Sequence, residues 1–298
     1  MSDVNNTKSQ HLSEFDKLWD YNNPAGTEKK FRALIPDLNH PGKESLRLQL
    51  LTQIGRTLSL QMKFENAHKV LDEVESGLQN EDFYLAKIRY FLERGRTYNS
   101  SGQKDKAIGF FLKAYELGTG HNEDFYTVDA AHMLGIVETP DAGLKWNEKA
   151  MELAERSADE RAHNWLGALY NNSGWTYHDK KEYDKALEFF QKNVNWHTEK
   201  KKPGELIIAR WSVARVFRSL ERIDEAIDIQ TNLLKEIQDN GLAQDGYIYE
   251  ELAECYLIKE NKEASRKYFG LAYDLLSKDI WLAEYEKERL SRMKVLSV

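Results

Sequence analysis

Cysteine, proline and long apolar runs are all scarce in this chain, and each shortage removes a class of protein. A single cysteine, Cys255, among 298 residues excludes an internal disulfide and any metal centre built from several thiolates. Five prolines and 17 glycines leave no room for a collagen-like or linker-dominated architecture. No stretch of about 20 apolar residues occurs, so no membrane-spanning helix is expected. The opening residues, Met1 to Lys8, lack an apolar leader core. With the lone cysteine, this points to a reducing cytoplasm. Positive charge is also in deficit: 42 Lys and Arg against 49 Asp and Glu give a net charge of −7. Such a chain has no global attraction to nucleic acid or to an anionic membrane.

The usual marks of catalysis are missing too. There is no His-Glu-x-x-His pair, no paired Cys-x-x-Cys, no Gly-rich phosphate loop and no Gly-x-Ser-x-Gly elbow. The histidines are scattered, and His132 with His178 forms at best a two-ligand set, with Glu138 or Asp179 near in sequence. No enzyme activity, cofactor or metal is expected. Cys255 lies in a helical pattern and reads as a buried, inert thiol.

What is present is a repeat. Asn80-Glu81-Asp82-Phe83-Tyr84 recurs as Asn122-Glu123-Asp124-Phe125-Tyr126, each copy after a Gly-containing breaker and before a helical run. The Asp and Asn residues there are candidate helix caps. The wider unit is a helix, a short polar turn and a second helix. Phe91, Gly95, Tyr98, Gly102, Ala107, Phe111 and Ala114 form its fullest copy. Small residues are needed where two helices nearly touch, and aromatics fill the space beside them. Tyr170, Gly174, Tyr177, Tyr183, Ala186 and Phe190 repeat the pattern, and four looser copies complete the array. The equivalent small residues fall at 67, 107, 143, 186, 226 and 265, so the separations are 40, 36, 43, 40 and 39.

This spacing resembles the tetratricopeptide repeat, whose usual period is about 34. The longer period resembles the extended branch seen in kinesin light chains and in bacterial peptide-sensing regulators. The resemblance implies an all-α fold, a right-handed α-α superhelical solenoid. The expected organisation is an N-terminal tail with short capping helices over 1–43, about six hairpins over 44–276, and a capping helix over 277–298. Residues 1 to about 10 read as disordered. Phe15, Leu18 and Trp19 open a short helix that ends at Asn22-Asn23-Pro24, and Phe31, Leu34 and Ile35 follow. This segment either caps the first repeat or docks into the groove as an autoinhibitory arm. In the third copy, Pro140 stands at the start of the second helix, where proline is tolerated.

In the family, positions two, five, nine and twelve of each first helix line a concave groove. The resemblance carries these positions to Gln49, Thr52, Arg56 and Ser59; Arg89, Leu92, Arg96 and Asn99; and Phe125, Val128 and His132. It continues through Asn171, Trp175 and His178; Trp211, Arg215 and Arg218; and Tyr247, Glu250, Glu254 and Leu257. Arg56, Arg89, Arg96, Arg215 and Arg218 make this face cationic, interleaved with Trp175, Trp211 and Tyr247 and with the amides of Asn99 and Asn171. Arginine forks match carboxylates, aromatics supply contact area, and amides pair with an extended backbone. The expected partner is a protein or peptide segment with acidic or free-carboxylate character near its middle. Glu250, Glu251 and Glu254 would favour a basic flank. The competing reading is that these arginines pair with neighbouring acids and the tryptophans fill gaps between hairpins. The family's chaperone-tail clamp needs a Lys where this chain has Thr52, Leu92, Val128, Asn171, Trp211 and Glu250, so that function is not expected. A non-catalytic scaffold or adaptor is the first functional expectation. A peptide-sensing regulatory module that changes shape on binding is the second.

Overall fold

The computed structural model describes residues 14–298, and the reading of residues 1 to about 10 lies outside the described residues. Every regular element among the described residues is helical. A 3₁₀ turn, Glu14–Leu18, leads through Asn22 and Asn23 into α1 (Pro24–Leu34) and a second 3₁₀ turn, Pro36–Leu38. Six hairpins follow: α2 (Glu44–Leu60) with α3 (Phe64–Gly77); α4 (Tyr84–Ser100) with α5 (Lys104–His121); α6 (Asp124–Val137) with α7 (Pro140–Arg156). After the short α8 (Glu160–His163) come α9 (Leu166–Asp179) with α10 (Tyr183–Glu199), α11 (Pro203–Ser219) with α12 (Ile223–Asp239), and α13 (Gly246–Ile258) with α14 (Lys262–Leu276). Two short helices, α15 (Ile280–Tyr285) and α16 (Lys287–Leu296), close the chain. The described residues divide into two compact units, 14–169 and 170–298.

The two helices of a hairpin are buried differently, and their sequences say why. α5 buries one stripe, Ala107, Phe111, Ala114 and Gly118, at the 3–4 spacing of a helix with one covered side. α4, its partner, buries Ala86, Ile88, Tyr90, Leu92 and Gly95 all round, along with charged Arg89, Glu93 and Arg94. First helices are therefore the inner layer, and polar groups they carry are desolvated. The predicted small-residue contacts are real. A Cβ added at Gly95 would lie 2.5 Å from the Phe111 ring, and one at Gly174 would lie 2.6 Å from the Phe190 ring. Beside these contacts the predicted tyrosines stack across the hairpin: Tyr98 on Phe110 at 5.6 Å, Tyr177 on Phe189 at 5.5 Å and Tyr256 on Tyr268 at 5.6 Å.

Five of the hairpin turns share one backbone device. Met62, Gly102, Lys181, Glu221 and Glu260 all take positive φ. The following amide then bonds back across the turn, as from Gln103 N to Tyr98 O at 2.8 Å and from Asn261 N to Tyr256 O at 2.9 Å. This is the Schellman closure, in which a left-handed residue lets the chain reverse and satisfies a terminal carbonyl. The third hairpin departs from it. Glu138 and Thr139 are extended, as the residue before a proline must be, and Pro140 opens α7 at its first turn as the sequence predicts.

Two expectations need correction. The repeated Asn-Glu-Asp-Phe-Tyr segments do not cap their helices: Phe83 and Glu123 hold the cap positions and make no capping side-chain bond. Asn80 instead accepts from Asp82 N at 2.9 Å, fixing the turn before the helix. The C-terminal helix is two helices, broken at Glu286, whose φ of −118° and ψ of 36° are non-helical. Leu282, Leu290 and Met293 still dock on the core of the last hairpin, while Trp281 and Tyr285 stay exposed.

Candidate recognition faces

The predicted groove residues fall into two sets, one in each unit. In the first unit they surround a cavity of about 220 Å³. Arg56 from α2, Arg89 and Arg96 from α4, and Phe125 from α6 all reach it. Their charges are met within the unit. Glu93 stands between Arg56 at 3.2 Å and Arg96 at 2.9 Å, and Arg96 also pairs with Asp129. Arg89 pairs with Asp16 at 2.5 Å, both side chains being almost fully buried. These carboxylates hold the Arg96 and Arg89 guanidinium groups firmly charged against the opposing effect of burial. The repulsion expected of clustered arginines is thus cancelled internally. Glu93, Asp129 and Asp16 escaped the reading of the sequence because they lie off the groove positions it used. A carboxylate three residues before Arg96 was nonetheless a visible clue.

Other predicted positions in this unit are closed. Thr52 and Val128 are fully buried between helices. Thr52 spends its hydroxyl on Gln49 O at 2.6 Å. His132 is buried beside Trp165, with ring centroids 4.8 Å apart, and burial pushes its pKa down to about 4. Asn99 is half-buried at the end of α4, where its carbonyl accepts from Gly102 N at 3.0 Å.

The N-terminal segment lies across this face. Trp19 Nε1 donates to Gln53 Oε1 at 3.1 Å, Arg56 sits 5.9 Å over the Tyr21 ring, and Arg89 sits 5.3 Å over Phe15. The two alternatives left open by the sequence are therefore divided between adjacent pieces. α1 packs Phe31 into the core of the first hairpin as a cap, and residues 15–21 add Phe15 to that core while covering groove positions.

In the second unit the first-helix positions build an aromatic row. Trp175 and Trp211 have ring centroids 5.8 Å apart, and Trp211 and Tyr247 are 6.2 Å apart. Trp211 Nε1 donates to the Tyr247 carbonyl at 3.1 Å, which fixes the indole plane. Trp175 also packs edge-on against Phe190 at 5.0 Å, so part of it serves the hairpin core. Arg215 and Arg218, on α11, both face Glu251. Arg218 takes the carboxylate through two bonds, at 2.5 and 3.1 Å, and Arg215 approaches no closer than 3.7 Å. Burial, and then the neighbouring Arg218, lower the pKa of Arg215. Arg215 NH1 donates instead to Ser219 Oγ at 2.9 Å, and His178 Nε2 meets the same oxygen at 2.9 Å. Asn171 buries its Oδ1 without a donor among the described residues.

The acidic rim expected at the end of this face is neutralised. Arg289 holds Glu250 through bonds of 2.8 and 2.6 Å and lies 5.5 Å over Tyr247. Arg292 holds Glu254, and Arg218 holds Glu251. A basic flank on the partner loses its basis, because the terminal helices bring these arginines back onto α13.

Comparison with known proteins agrees with this geometry. The tetratricopeptide repeat model matches residues 88–117 and 167–196, within the second and fourth hairpins. The chain carries tetratricopeptide repeats at these two sites and has the tetratricopeptide repeat fold. Solved structures share the repeat fold. The apo form of RapI superposes with a TM-score of 0.67 at 13% identity, over 90% of this chain and 78% of that one. NprR in complex with its cognate peptide NprX gives 0.56 at 14% identity, over 98% and 84%. A tetratricopeptide repeat protein from Parabacteroides merdae gives 0.56 at 16% identity, over 95% and 96%. No curated protein matches the sequence. No helix among the described residues is long and apolar enough to cross a membrane.

Proposed function

We propose that this repeat protein is a non-catalytic scaffold or adaptor, and that the first-helix face of residues 170–298 holds a protein or peptide segment carrying a carboxylate. The observation that carries this reading is the unequal division of Glu251. Two arginines face one carboxylate, Arg218 has it, and Arg215 keeps a surplus positive charge at 27% side-chain exposure. Arg215 is one turn from Trp211 on α11, so a charge-matched group and a flat apolar surface lie together. An acidic side chain or a free C-terminus would complete the ion pair, while neighbouring apolar side chains rest on Trp175, Trp211 and Tyr247. Capture of peptides by the unaltered chain, and its loss in Trp211→Ala with Arg215→Ala at unchanged helical circular dichroism, tests the reading. Unfolding of that double variant would favour a packing role.

A second reading has one observation in its favour. NprR, whose fold this chain shares over nearly its full length, is solved with a peptide. On this reading the solenoid is a sensor and ligand binding changes its pitch. Small-angle scattering with and without a captured peptide should then show a change in radius of gyration.

A further inference from the structure

The segment before α1 makes contacts beyond those of a cap. A cap hides apolar surface, and α1 already does this with Phe31, which is fully exposed to the core of the first hairpin and not to water. α1 also starts independently, because Asn23 Oδ1 accepts from Gly26 N at 2.9 Å and Pro24 occupies its first turn. Residues 15–21 place Phe15 and Trp19 beside Phe31 in the same core, and they also contact the inner face through polar and charged groups that a cap does not need. Asp16 enters a nearly water-free site to meet Arg89 at 2.5 Å, and Trp19 spends its indole N–H on Gln53. Among the described residues, Asp16 supplies the ion pair of Arg89, whose other side-chain bond is to Gln49 Oε1 at 3.3 Å. Tyr21, 61% exposed, lies flat on Trp19 at 4.7 Å without entering the core. The cavity of about 220 Å³ continues beside this segment towards Arg96, Tyr126 and Trp165.

We propose that residues 15–21 are a tethered occupant of a second recognition site centred on Arg89, one that receives a partner segment with an acidic residue flanked by aromatics. The tethered copy supplies the pattern: Phe15, Asp16, Trp19 and Tyr21. Arg89 reads the carboxylate and holds an aromatic ring against its guanidinium face, and Gln53 reads an indole N–H. A partner with the same pattern displaces the segment, and the site opens only when that partner out-competes a copy held at an effective concentration on the order of millimolar. This site uses neither Trp211 nor Arg215, so its failure and that of the reading above are separable.

The test uses the full chain and a fluorescein-labelled synthetic peptide with the sequence of residues 14–21, followed by anisotropy. Asp16→Asn with Trp19→Ala, which releases the tethered copy, should bind this peptide at least tenfold more tightly than the unaltered chain. Adding Arg89→Ala should reverse the gain, and a peptide with lysine in place of the aspartate equivalent to Asp16 should not bind. Equal binding by the released and unaltered chains, or undiminished binding after Arg89→Ala, overturns the proposal. A second measurement needs no variant. Hydrogen exchange of the unaltered chain with excess peptide should show faster exchange at residues 15–21. Unchanged exchange there at millimolar peptide overturns it equally, even if the released variant fails to fold.

Discussion

Arg215 and Arg218 lie on the same side of α11 and divide one carboxylate unequally: Glu251 is bonded twice by Arg218 and only approached by Arg215. The division separates a structural arginine from one available for recognition. Neutralising Glu251 as Gln leaves two largely desolvated cations without their counter-charge, and removing one partner of a buried pair is far costlier than the pair is worth. With the arginines still partly exposed, Glu251→Gln should destabilise the fold by about 2 kcal/mol. Arg215→Ala should cost less than about 1 kcal/mol. Urea unfolding midpoints of the two variants check this order, and the reverse order would remove the distinction.

Acid should weaken the protein through His132. Burial lowers its pKa from the ordinary 6.5 to about 4, with Arg96 adding to the effect and Asp129 opposing it. The unfolded chain takes up this proton near pH 6.5 and the folded chain only near pH 4. Between those values the unfolded state binds more protons, so stability is full above pH 6.5 and falls as pH drops towards 4. The loss from this group is about 3 kcal/mol over the window. His132→Gln should flatten the pH dependence of the urea midpoint there, and an unchanged slope would assign it to other groups.

Cys255 should be chemically silent in the folded chain. It is fully buried, and burial together with Glu251 pushes its thiol up to about 12. The thiolate is the reactive form. Iodoacetamide at pH 8 should therefore leave the native protein unmodified and label it once in denaturant, as read by intact mass.

The left-handed turn residues offer a gain in stability. Glu260 and Met62 carry side chains at φ of 57° and 59°, where the second hairpin uses Gly102. Relief of the side-chain clash outweighs the extra freedom of glycine in the unfolded chain, so Glu260→Gly should stabilise by about 0.5–1 kcal/mol. Gly95→Ala should do the opposite, by about 1–3 kcal/mol, because the added Cβ meets a fully buried ring. Denaturation midpoints give both signs.

The hairpins were legible because their constraint is local. A Gly or Ala where two helices touch, and an aromatic at fixed spacing beside it, mark Gly95 with Tyr98 and Gly174 with Tyr177 from the sequence alone. The turns were only half legible, since Met62, Lys181 and Glu221 adopt a conformation that their side chains do not advertise. Which arginines and tryptophans stand on the first helices was legible, but not which of their charges remain unpaired. Asp16 with Arg89 and Arg289 with Glu250 join residues far apart in sequence, and only packing brings them together. That is why an open acidic rim was expected where the carboxylates are paired, and why residues 15–21 both join the first core and cover groove positions.

The most direct measurement is a capture experiment with two pools of random heptapeptides, one with glutamate and the other with lysine fixed at the centre, offered to the immobilised full chain and to Arg215→Ala. The account predicts at least tenfold more capture from the glutamate pool by the unaltered chain, and equal, low capture from both pools by the variant. Equal capture of the two pools by the unaltered chain, or a glutamate preference that survives Arg215→Ala, would contradict it.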